Sequence, residues 1–159
     1  RGLGDVYKRQ VFQGPGFVAI VSEMAHDARI IPIDSRPHVS GGVEQWNGDA
    51  RGHWEGSTLV VDTTNFSPKG MAFAFGGPQG GLHLTEKFTR VKANQLNYEV
   101  TFTDPATYTR PFTVMVPLQS KAEQIFEYAC HEGNEGMFGT LSGHRATERE
   151  AAAKGKGSN

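Results

Sequence analysis

Four side chains in the later half of the chain have the types and positions to do chemistry together. His83, Glu99, Glu127 and His131 each fall on the polar side of an alternating run, so strands carrying those runs in one sheet would present all of them on one face. Two imidazoles and two carboxylates there suit zinc or another divalent ion, with His83 and His131 as the ligands of a metal-dependent hydrolase or lyase, or else metal-free acid–base catalysis. The run CHEGN, Cys130 to Asn134, adds Glu132 as a further proton carrier beside His131. Alternation sends Cys130 and His131 to opposite faces, which works against all three converging on one ion. An ordinary solvated sheet face, with a buried Cys beside a His bonded to loop backbone, accounts for the same residues without chemistry.

A second group lies earlier, in EMAHDAR and DSRPH. Glu23 and His26 could meet across a turn, and Arg36 with Asp34, followed by His38, could clamp a carboxylate or sugar hydroxyls. Arg–Asp pairing that braces a loop explains them equally well. Trp46, Phe73 and Phe75, with Trp54 and Tyr108, could supply aromatic platforms for a sugar or an apolar ligand; Phe73 and Phe75 could instead tuck into the core, and a hairpin Trp such as Trp54 commonly plugs one. The candidate ligand-binding set is therefore Trp46, Arg36, His38, Phe73, Phe75 and Glu99. No H-E-x-x-H, G-x-S-x-G or P-loop is present, and GGPQGG at 76–81 lacks the Lys and the strand–helix setting of a phosphate cradle.

The elements that must position these residues read as strands. RGHWEGSTLVVDTTNF, Arg51 to Phe66, is the clearest hairpin, with a turn at Glu55-Gly56 and β-branched residues after it. Before it, Val11–Gln13, Phe17–Met24 and Ala28–Ile33 read as strands joined by Gly14-Pro15-Gly16 and Ala25-His26-Asp27 turns, and Pro32 suits an edge. After it come Leu82–Val91, Leu96–Thr103, Phe112–Leu118 and Ile125–His131. In the first of these, Leu82, Leu84 and Phe88 oppose His83, Thr85, Lys87 and Thr89; in the second, Leu96, Tyr98, Val100 and Phe102 oppose Glu99 and Thr101. Two irregular stretches, 34–50 and 67–81, are long enough to act as lids. Ala146–Lys154 is helix-prone.

The expected fold is mainly β: an antiparallel meander curled into a barrel or half-barrel of the calycin or lipocalin kind, with one short C-terminal helix. One domain, 11–145, is expected between residues 1–10 and a tail at 146–159. The first ten residues lack apolar periodicity; GLGDVYKRQ resembles translated adapter sequence from short-read assemblies, and the decamer is set aside. The charge of −1 from 16 basic and 17 acidic residues disfavours nucleic acid, and no apolar run is long enough to span a bilayer. The lone Cys130 excludes an internal disulfide.

The stretches EMAHDARIIPIDSRPH, GDARGHWEGSTLVVDTTNF, LHLTEKFTRV, DPATYTRPFTV and FEYACHEGNEGM together resemble a family of uncharacterised bacterial proteins of soil and marine metagenomes, over roughly Val11 to Glu148. That resemblance implies an exported, periplasmic or extracellular protein and carries over no catalytic residue. Family members read Gly where this chain has Ser35. The leading expectation is binding of a small molecule or short glycan in the concavity; the alternatives are the His83/His131 metal enzyme and an interaction module of an envelope assembly.

Overall fold

A computed structural model describes residues 8–69, 81–126 and 135–156. Among these residues the regular structure is eight strands, one long helix and a single 3-10 turn at Met24–His26: β1 Arg9–Gly14, β2 Phe17–Ser22, β3 Ala28–Pro32, β4 Asp49–Glu55, β5 Thr58–Thr64, β6 His83–Lys92, β7 Gln95–Thr103, β8 Phe112–Gln119 and α1 Gly136–Lys156. All pairing between strands is antiparallel between chain neighbours, in a three-stranded sheet β1-β2-β3 and a five-stranded sheet β4-β5-β6-β7-β8. The fold is thus the expected antiparallel β meander with a C-terminal helix. It is not a closed barrel: no ladder joins β3 to β4, and the meander divides into two sheets where the 33–48 loop intervenes.

The turns follow from their residues. Pro15 and Gly16, the latter at φ +77°, link β1 to β2, and Gly56, at φ +59°, opens the two-residue turn between Glu55 and Thr58. β1 includes Arg9 and Gln10, which pair with Ser22 and Val21, so part of the decamer set aside on its sequence is woven into the sheet. Pro32 ends β3, an edge strand, as its missing N–H requires.

Alternation sets the core. Val18, Ile20 and Ile31 from the small sheet meet Ala50, Leu59 and Val61 from the large one, and a second cluster joins Phe66, Leu82, Leu84, Val100 and Phe102. Each of these Val, Leu, Ile and Phe side chains contributes roughly 1.5–3 kcal/mol on burial. Gly52 faces this interior, and a Cβ there would lie 2.8 Å from Ile31 Cγ2, so its lack of a side chain lets the two sheets close. On β7, Val100 and Phe102 are buried and Tyr98 packs against the second cluster, while Leu96 is only half-buried. Trp54 is no core plug: it stands 45% exposed at the hairpin end.

By its contacts the chain forms two units, Arg1–Phe126 and Glu127–Asn159. In the second, α1 begins ten residues before the expected helix, at Gly136 rather than Ala146. Gly136, Gly139 and Gly143 lower the helix propensity of that first half and concealed it. Among the described residues no helix is long and apolar enough to cross a membrane. Of the expected strand Ile125–His131, Ile125 and Phe126 have no strand structure and the remainder lies outside the described residues.

Candidate functional site

Three polar constellations stand out in the first unit, two of them on opposite faces of the same strands. β5 and β6 point Val61, Thr63, Leu84, Glu86 and Phe88 inward and Asp62, His83, Thr85 and Lys87 outward. On the outer face, Arg51 lies directly across from Asp62 and His83 diagonally from it. The 33–48 loop lays His38 over this surface. Its Nδ1 is 2.9 Å from Asp49 Oδ2 and its Nε2 is 2.8 Å from Asp62 Oδ2. The other oxygen of Asp62 pairs with His83 Nε2. Asp49 is fixed by Arg51 Nη1 at 2.7 Å and by the Val39 N–H at 3.0 Å, and Arg51 Nε donates to Pro37 O at 3.2 Å. The result is a continuous run Arg51–Asp49–His38–Asp62–His83. Burial pushes the Asp62 carboxyl up, but hydrogen bonds from His83 and His38, with their charge, outweigh it and hold it below the ordinary aspartate value.

The inner face carries an ion pair among apolar side chains. Glu86, 1% exposed, accepts two hydrogen bonds from Arg29 of β3, at 3.0 and 2.6 Å, and one from the Tyr98 hydroxyl at 2.8 Å. Arg29 Nη2 also donates to Thr63 Oγ1 at 3.1 Å. Burial drives the Tyr98 phenol above its usual range, and the neighbouring Glu86 charge pushes the same way. Burial pushes the Arg29 guanidinium down, and its bonds to Glu86 more than restore it.

The third constellation is an open groove of about 670 Å³ between the outward side of β3 and the end of the long loop. Trp46, 67% exposed, and Ile30, 58% exposed, supply its apolar surface. Asp27, Glu44, Gln45 and Asn47 supply its polar lining. The loop is anchored here: Gln45 bridges to Phe66, its N–H donating to Asn65 O at 2.9 Å, and Asn47 Nδ2 donates to Asp27 Oδ2 at 2.5 Å.

The residues singled out in the sequence distribute unevenly over this geometry. Trp46 lines the groove. His38 and His83 both join the outer network, through Asp62. Glu99 does share the polar face with His83 but lies opposite Lys87, four residues along from the Thr103 that faces His83, so it is not beside that imidazole. Arg36 is spent on Asp34, its Nε 2.5 Å from Oδ2 in an exposed pair that lowers the Asp34 pKa, which is the loop-bracing arrangement. The Glu23 carboxylate is buried and accepts from the Phe126 N–H at 3.2 Å. Phe73, Phe75, Glu127, His131 and Glu132 lie outside the described residues. Among the described residues no three His, Cys, Asp or Glu side chains could hold a metal ion together, and the zinc expectation keeps only His83 within them.

Asp49, Asp62 and Glu86 were not among the sequence candidates. Alternation alone places Glu86 between Leu84 and Phe88 on the apolar face, and a carboxylate there demands a buried partner. Asp62 is likewise assigned to the outer face by Val61. Nothing in the sequence, though, shows that a loop histidine more than twenty residues earlier would reach it. No family model, curated protein or solved structure matches this chain.

Proposed function

We propose that this protein binds a small polar molecule or short glycan in the groove beside Trp46. The observation that carries the reading is an indole left two-thirds exposed on a backbone tied down on both sides, at Gln45 and at Asn47. An aromatic face costs free energy in water and gains it when a sugar ring or other apolar surface covers it, and an anchored one loses little entropy in the process. The planar carboxylate and amide groups around it match the hydroxyls of a saccharide. The family resemblance in the sequence agrees with such a protein working outside the cytoplasm.

The test uses a Trp54→Phe background, which leaves Trp46 as the remaining indole of two. Titration with a panel of neutral and charged oligosaccharides should change Trp46 fluorescence saturably, and Trp46→Ala should abolish calorimetric binding. Saturable binding that survives Trp46→Ala would place the site elsewhere.

A second reading, acid–base catalysis at His83, is favoured by one observation. Asp62 stands behind the ring at Nε2, and Nδ1 makes no hydrogen bond among the described residues. A carboxylate-oriented imidazole with its second nitrogen available is the arrangement of a general base. Turnover of an ester or glycoside panel that is lost in His83→Ala, with the fold retained, would establish it.

A further inference from the structure

The charge in and around the Trp46 groove is lopsided. Two carboxylates, Asp27 and Glu44, line it, and among the described residues neither has a salt-bridge partner. Asp27 accepts one hydrogen bond, from the neutral amide of Asn47, through Oδ2. The lining includes one cationic residue, Arg29, whose guanidinium is turned inward onto Glu86 and Thr63. Its charge is therefore cancelled within the core. What faces a ligand is an exposed indole with two carboxylates in the same lining, neither in a salt bridge among the described residues.

We propose that the groove selects an ammonium-bearing saccharide, an amino sugar whose nitrogen is unacetylated. This rests on the groove being the ligand site. A cation over an indole face is attracted by the ring quadrupole, and tryptophan is the best of the aromatic side chains for it. Carboxylates nearby add charge-assisted hydrogen bonds to the N–H donors of the ammonium. The same arrangement repels an anionic ligand, so uronic acids and phosphorylated sugars are rejected. A neutral sugar gains the stacking but not the charge term. The carboxylates are exposed, which makes the preference sensitive to ionic strength.

Calorimetric titration of the full chain, at a pH where the amine is protonated and at low salt, with glucosamine oligomers and with the matching N-acetylglucosamine oligomers tests this. The expected result is roughly tenfold tighter binding of the glucosamine series, shrinking as salt is added. The Asp27→Asn/Glu44→Gln variant, isosteric and at exposed positions, should bring the two series to the same affinity, whatever its effect on the affinity they share. Equal affinity for the two series, or tighter binding of the acetylated one, overturns the ammonium preference and leaves the groove as a ligand site. Binding of neither series, nor of any neutral sugar in the wider panel, overturns the ligand site itself. Tetramethylammonium chloride competing with the glucosamine series supports a cation–indole contact; a preference retained in the double variant refutes the role given to the carboxylates.

Discussion

The inner and outer faces of β5 and β6 hold two polar networks made of similar parts and built to opposite specifications. Inside, Glu86 and Arg29 are locked fork to fork between the two sheets, with Tyr98 bonded to the carboxylate and Thr63 to the guanidinium, whose Nε is buried without a partner among the described residues. Outside, His38 and His83 share Asp62 at a surface where the Asp62 side chain is 37% exposed. Glu86, 1% exposed, cannot be rescued by water if Arg29 is lost, whereas the outer carboxylate Asp62 can. The inner charges tie β3 of one sheet to β6 of the other, while the outer ones fasten a loop. Burial, more than residue type, decides which role a charged group takes.

The largest expected effect comes from breaking the inner pair on one side. Arg29→Met leaves Glu86, 1% exposed, charged in the interior and should cost about 3–5 kcal/mol, read from the urea midpoint. Replacing both partners by apolar residues, Arg29→Met with Glu86→Leu, should cost far less than that single change. A double variant as unstable as the single one would show that the network contributes more than a compensated charge pair.

His38→Ala should cost about 1–2 kcal/mol, because Asp49 retains Arg51 and the Val39 N–H. The loss should be local, with faster hydrogen exchange at the Val39 amide and no change at Val100. Loosening throughout both sheets would erase the distinction between the two networks. Within this loop, Ser35 sits at φ +59°, the left-handed conformation natural to glycine. Ser35→Gly should therefore raise stability by about 0.5–1 kcal/mol, a gain visible in thermal unfolding.

The smallest effect sharpens the electrostatic contrast. Asp62 has a folded pKa below its unfolded value, so its contribution is fully present above the ordinary aspartate range, about 3.9, and is lost as pH falls through the folded value. Asp62→Asn should lower stability slightly at neutrality and converge with the wild type at low pH, and so flatten the acid limb of a stability-against-pH curve. An unchanged acid limb would mean that Asp62 gains nothing from its imidazoles.

The strands were legible in the sequence because alternation, Gly-Pro-Gly and Glu-Gly-Ser are local signals, and Val100 and Phe102 are buried where their period places them. The division into two sheets was not legible, because it depends on whether β3 and β4 hydrogen-bond, and a loop of irregular sequence carries no mark of where its ends lie. The outer network was half legible: His38 and His83 were recognised as reactive types, while their common partner Asp62 emerged only from the folding of the loop. Glu86 was readable and overlooked, since a lone carboxylate in the run Leu84, Glu86, Phe88 already states that a cation must arrive from elsewhere.

The position of His38 makes one flat ring the fastening between a loop and two strands. Its nitrogens lie on different edges of the imidazole, one meeting Asp49 of β4 and the other Asp62 of β5, so the ring spans neighbouring strands as a rung does. The β4–β5 ladder holds those two carboxylates at a set separation, and a side chain with a single polar tip, such as serine, reaches one of them but not both. Ring size therefore matters at this position as much as hydrogen-bonding type.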